Sequence, residues 1–163
     1  MEDKQRIETA KWLFERTLGW IAAADIKVAV AMALDTAMLG GLAAAFGASD
    51  PGSRTAWCYL FLLMAVGGMV IAMFCAAMAA IPRMLGPVKS MIYFARIVER
   101  TEADFVDQFA KIAEEDFLVD LNTQIHRNAQ IAATKHAWVR KSLIWSFFAA
   151  APWLAAIGLL VKT

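Results

Sequence analysis

Cysteine is nearly absent from this 163-residue sequence: Cys58 and Cys75 are the only two, and both fall inside one apolar run. With no partner loop and no metal-type spacing, they support neither a disulfide framework nor a zinc site, and two buried apolar thiols are expected. Histidine is equally sparse. His126 and His136 stand ten residues apart on a stretch expected to be helical, about 15 Å along its axis, too far to share a metal. A nucleophile elbow, a phosphate-cradling glycine loop, HExxH and CxxC are all missing, so no enzyme, metal or cofactor signature is present. The acids Glu114, Glu115 and Asp116 suit helix initiation better than acid–base work. Neither sign of charge dominates: 16 basic and 15 acidic side chains leave a net charge of +1, which points away from nucleic-acid-binding and polyacidic classes.

Apolar side chains are what the sequence has in excess. They make up 60 % of the residues, and the mean hydropathy is +0.53. A soluble domain of this size must turn a large share of its residues to water, so the surplus is expected to face lipid. The clearest run, residues 55–82, is uncharged and bounded by Arg54 and Arg83; at about 1.5 Å per residue it exceeds a ~30 Å hydrocarbon core. Residues 142–161 form a second uncharged run, with Pro152 inside it, a residue that membrane helices tolerate, often with a kink. Residues 28–49 form the third, interrupted only by Asp35. The small residues Gly47 and Ala48, after Phe46, invite a signal-peptidase reading, but the stretch of 27 residues ahead of this run is long and charge-balanced, unlike a short basic n-region; no cleavage is expected.

Lysine and arginine set the expected orientation. Residues 1–27 hold five of them, residues 83–141 hold nine, and the 50–54 loop and the tail after residue 161 hold one each. By the positive-inside rule the N-terminus and the 83–141 segment are cytoplasmic, with the carboxy-terminus outside. Trp20 and Trp138 then fall near the inner interface, and Trp57 and Tyr59 near the outer one. The expected fold is all-α, an integral membrane helical bundle. An amphipathic helix lies within residues 1–27, three transmembrane helices span 28–49, 55–82 and 142–161, an external loop covers 50–54, and a cytoplasmic helical segment covers 83–141. The helix within 5–21 is suited either to the inner membrane face or to packing on other helices.

Within the cytoplasmic segment, Pro82 and Gly86-Pro87 should end the second span. Residues 88–98 read equally as a short strand or a helical stub. Thr101 and Asp104 have the spacing of a capping-box variant. From Glu114 a long helix is expected: acids precede bases along it, an apolar residue recurs every three or four positions, and neither Gly nor Pro interrupts it before Pro152. Such a helix would run on into the last span.

Two groups of residues are candidates for function. Inside the membrane, a carboxylate costs roughly 2.5–3.5 kcal/mol on insertion scales, so Asp35 should face protein or a water-filled cavity. Asp35 reads either as a packing residue or as a pore or gating residue, with Asp25 and Lys27 nearer the inner interface. Ala37, Gly41 and Ala45, with Gly67-Gly68, permit close helix approach within the bundle or in a homo-oligomer.

Three stretches carry a family resemblance: Trp20-Ile21-x-x-Ala24-Asp25-x-Lys27; Ile92-Tyr93-Phe94-Ala95-Arg96-Ile97 with Asp104-Phe105; and Asp120-Leu121-x-x-Gln124-Ile125-His126 leading to Lys135-x-x-Trp138-x-x-Lys141. In order and spacing they resemble the transmembrane effectors of the Pycsar anti-phage system, over nearly the whole chain. Asp35-Thr36 departs from the family pattern, which has an amide and a small residue there. The resemblance implies a protein of the bacterial inner membrane that responds to a cyclic pyrimidine nucleotide, cCMP or cUMP, made by a partner cyclase. It would then impair the membrane and cause abortive infection. A cytoplasmic site for that ligand should pair a cation with amides able to read a base edge, which singles out Arg96, Gln124, Arg127 and Asn128. A small adaptor recruiting a cytoplasmic partner and an oligomeric channel subunit are the competing readings.

Overall fold

The computed structural model describes residues 3–82, 86–87 and 89–162; Arg83, named above, and position 88, the first of the 88–98 stretch, lie outside the described residues. Every regular element among the described residues is helical: α1 Asp3–Ala48, a 3-10 turn Pro51–Ser53, α2 Ala56–Ala80, α3 Phe94–Val98, α4 Glu102–Lys111 and α5 Glu114–Val161. Of the two readings for residues 88–98, the helical stub is the one found for α3. Helices α1, α2 and α5 are each long and apolar enough to cross a membrane. The long helix expected from Glu114 runs unbroken through Pro152.

The chain packs as two compact units, Met1–Ala23 with Pro82–Thr134, and Ala24–Ile81 with Lys135–Thr163. The second unit holds the apolar bundle. Its core joins Met38 and Leu42 of α1, Ala65 and Met69 of α2, and Ala149 and Ala156 of α5. A second cluster joins Ala24 and Val28 with Ala76, Ala79 and Val139.

A seven-residue rhythm governs which positions are buried. On α1 the buried residues are Ala10, Thr17, Ala24, Ala31 and Met38, interleaved with Val28, Asp35 and Leu42, and Ser49 just past its end continues the second row. On α5 Leu121, Asn128, Lys135, Ser142, Ala149 and Ala156 repeat at the same interval. On α2 it is Cys58, Ala65, Ala72 and Ala79. A sustained period of seven is the mark of coiled-coil packing. Most members of these rows are small, which lets backbones approach closely. Helices α2 and α5 approach closely at Gly68, where a Cβ would stand 2.9 Å from the Ala149 Cβ and 3.3 Å from its Cα; Gly67, one residue earlier, faces open space. Of the small residues singled out on α1, Gly41 lies against Trp153, with 3.6 Å from an added Cβ to the ring.

Capping follows the sequence. Thr101 accepts from the Asp104 N–H and opens α4, as the spacing predicts; its hydroxyl in turn donates to Asp104 Oδ2 at 2.7 Å. Thr55 accepts from the Cys58 N–H to open α2. The end of α1 is closed from outside the helix by Arg54. Its guanidinium donates to the Phe46 and Ser49 carbonyls at 2.7 and 2.9 Å and to Ser49 Oγ at 3.0 Å, and lies 3.9 Å from the Phe46 ring centroid. These are carbonyls that a helix end leaves without partners. Removing charged hydrogen bonds to them costs about 1.5–3 kcal/mol. Arg54→Ala is therefore expected to lower the Tm of the purified protein, with Arg54→Lys recovering only part of the loss; an unchanged Tm would remove Arg54 from the hairpin's stability.

Candidate functional site

Each unit holds a group of buried polar contacts between segments distant in sequence. In the unit holding α3, α4 and the first part of α5, the centre is Ser90, whose side chain is buried. Its hydroxyl accepts from the Ile92 and Tyr93 N–H groups at 3.2 and 3.0 Å and from Gln124 Nε2 at 3.0 Å. One residue on, the Met91 N–H donates to Asp120 Oδ2 at 2.7 Å. Asp120 and Gln124 are four apart on α5, hence on one helical face. Together they fasten the 90–93 loop, and with it the start of α3, to that face. Arg100 completes the fastening by donating to the Ser90 and Arg96 carbonyls, each at 3.0 Å.

The four ligand-binding candidates fall differently in this frame. Gln124 is buried and engaged with Ser90; Asn128, one turn on, is also buried. Arg96 lies on α3 and grips both oxygens of Glu99 at 2.8 and 2.7 Å. Its Nε is buried with no hydrogen-bond acceptor among the described residues. Arg127 is half-buried and donates to Gln130 Oε1 at 3.2 Å. Gln124, Arg96 and Arg127 thus each meet a different partner. A hollow of about 280 Å³ in the same unit is lined by Arg6, Ile7, Glu114, Glu115 and Leu118. Its two carboxylates against one guanidinium are the wrong balance for an anionic ligand.

In the unit holding the apolar bundle, the polar contacts between helices follow the α1–α5 seam, whereas the buried positions of α2 are all apolar or glycine. Lys135 Nζ donates to Asp25 Oδ1 at 2.5 Å, with the lysine side chain only 8 % exposed and the aspartate 49 %. Further along, Ser146 Oγ donates to Asp35 Oδ2 at 3.0 Å and also lies 3.1 Å from the Ser142 carbonyl. Beyond it, the Trp153 indole N–H donates to the Met38 carbonyl at 2.8 Å. Asp35 is fully buried, so it faces protein, as its cost in lipid requires. Of the three membrane candidates, Asp25 and Asp35 sit on this seam and Lys27 is exposed.

Sequence reasoning passed over Ser90, Asp120, Arg100, Ser142 and Ser146. Asp120 carried a signal, since it shares a resemblance stretch and a helical face with Gln124. Ser90 carried none, because a serine in a loop is ordinarily solvated.

The family model of the Pycsar effector protein domain matches residues 9–162, which take in both polar centres. The chain belongs to this family. No curated protein and no solved structure matches it. As a Pycsar effector it is an anti-phage defence protein, and its three long apolar helices make it a membrane protein. Membership also brings the context of a cyclic-nucleotide signal. The Pycsar effector thus has an apolar bundle with a polar seam and a second unit whose 90–93 loop is hydrogen-bonded to α5.

Proposed function

We propose that this effector is activated by a cyclic pyrimidine nucleotide, cCMP or cUMP, supplied by a partner cyclase. It then impairs the bacterial inner membrane, producing abortive infection. Its action is physical rather than catalytic and needs no cofactor. The observation that carries this reading is family membership over residues 9–162. The charge distribution supports an N-terminus and an 83–141 segment in the cytoplasm, where such a nucleotide would be met: fourteen of the lysines and arginines lie in residues 1–27 and 83–141. One helix, α5, contributes Gln124 to the Ser90 cluster and Ser146 to the Asp35 contact. A ligand that shifts the first therefore acts on a helix that also builds the second.

Arg96 is the favoured phosphate contact, because its Nε has a donor to spare and a guanidinium suits phosphate oxygens. Arg127 is the second cation, and Gln124, which holds the loop through Ser90, and Asn128, one turn further along α5, are the amides suited to a base edge. The test is membrane potential in cells expressing the chain, with cCMP and cUMP supplied separately. Rapid depolarisation with one nucleotide is expected, and Arg96→Ala should raise the concentration needed by about tenfold or more, the worth of one charge-assisted hydrogen bond. Correctly inserted protein that leaves the potential unchanged with either nucleotide would favour the adaptor reading instead.

A further inference from the structure

Asp35 poses a charge problem that the bundle itself does not solve. Its side chain has no exposed surface, and an ionised carboxylate so placed needs a counter-charge. Helix α2 offers none, being uncharged from end to end. On α1 the nearest charged residues are Lys27 and Asp25, eight and ten positions earlier, roughly 12 and 15 Å along the axis. On α5, Lys135 is engaged with Asp25, His136 is half-buried ten positions before Ser146, and Arg140 and Lys141 are exposed. Between Lys141 and Lys162 that helix has no charge.

The hydrogen bonds leave matching gaps. Asp35 Oδ2 receives the Ser146 hydroxyl, but Asp35 Oδ1 has no partner among the described residues, and neither has the buried Ser142 Oγ. Ser142 and Ser146 are one turn apart on α5, and Ser146 Oγ lies 3.1 Å from the Ser142 carbonyl. The Ser146 hydroxyl thus lies within hydrogen-bond distance of both Asp35 and the Ser142 carbonyl, and each of those two residues keeps a buried side-chain oxygen without a partner, with one negative charge among them. Hard oxygen donors of this kind suit alkali and alkaline-earth ions. A single carboxylate balances a single positive charge, and no group of three or more His, Cys, Asp or Glu side chains stands ready for a divalent metal among the described residues.

We propose that Asp35 and Ser142, braced by Ser146, bind one desolvated alkali cation inside the bundle. The ion closes the charge balance of the resting seam. Because Asp25–Lys135, this site and the Met38–Trp153 contact follow one another along α1 and α5, the same seam is the route by which the activated effector leaks cations. That second step rests on the functional reading above; the binding site does not.

The test uses the full chain purified in detergent micelles, with thermal unfolding followed in NaCl, KCl and choline chloride at equal ionic strength. Binding to the folded state alone raises Tm, so one alkali salt is expected to exceed choline by about 3 °C or more. Asp35→Asn should abolish the difference. Ser142→Ala, which keeps the Asp35–Ser146 bond, should reduce it. Equal Tm in all three salts would mean that a proton rather than a metal ion balances the carboxylate, and overturns the site, as does an undiminished difference in Asp35→Asn. Phosphatidylcholine–phosphatidylglycerol vesicles carrying the chain separate the two claims. Nucleotide-triggered release of K⁺ but not of chloride supports the seam as the route, and equal release of both ions and of a trapped dye overturns it. No release at all, with the salt-specific Tm intact, upholds the site and sinks the functional reading.

Discussion

Asp25→Ala is expected to destabilise the protein by about 3 kcal/mol, whereas Lys135→Met, which breaks the same ion pair, should cost no more than about 1 kcal/mol. The asymmetry follows from where the two partners sit. Lys135 has only 8 % of its side chain exposed and Asp25 has 49 %. Removing the aspartate strands a buried ammonium group, and a stranded buried charge is the costly outcome. Removing the lysine leaves a carboxylate that water already reaches, while methionine fills much of the vacated volume beside Ala132 and Val139, buried one turn away on either side. The double variant Asp25→Ala, Lys135→Met should recover most of the loss, because a well-packed apolar pair is often as good as a buried ionic one. Thermal unfolding of the purified chain reads all three; 3 kcal/mol corresponds to a fall of roughly 6–12 °C for a chain of this size. Equal losses for the two single variants would show that the pair acts through its bond alone and that burial of Lys135 is immaterial.

That pair also marks where sequence reading reaches its limit. The spans were legible because uncharged runs of spanning length have no other home, and α5 because nothing between Glu114 and Pro152 breaks a helix. The seven-residue rhythm was hidden. Its members include Thr17 and Asp35 on α1, Ser49 just past its end, and Asn128, Lys135, Ser142 and Ser146 on α5. A search for apolar periodicity discards such residues as solvent-facing. In sequence Lys135 is one more charge of the 83–141 segment, yet its side chain is buried against a partner 110 residues away. Gln124 was singled out for its amide, which can serve a ligand or a loop; only the placement of Ser90, 34 residues earlier, puts the loop there. In each case the chemistry of the side chain was readable and its partner was not, because the partner comes from another helix. The glycines follow the same division. Gly67 and Gly68 are equivalent in sequence, and only the packed bundle tells one from the other.

Gly68→Val is accordingly expected to cost about 3 kcal/mol, the upper part of the usual range for overpacking, while Gly67→Val should be close to neutral. A Cβ at position 68 would meet the Ala149 Cβ at 2.9 Å and the Ala149 Cα at 3.3 Å. The second of these is backbone in the middle of α5, so no rotamer change relieves it and the two helices must separate. Separation loosens Met69 and Ala65, which are buried in the same core as Ala149, and a loss of contact there adds to the steric cost. At position 67 an added Cβ meets nothing within 4 Å, and valine there replaces glycine's backbone freedom with a residue that membrane helices accept. Ala149→Gly should rescue a milder variant, Gly68→Ala, by restoring the space on the other side. That reciprocal recovery is what a direct α2–α5 contact requires. The measurement is thermal unfolding in micelles of the two valine variants, Gly68→Ala, Ala149→Gly and the double variant. Failure of Ala149→Gly to restore Gly68→Ala would mean that the close approach of these two helices does not limit the stability of the bundle.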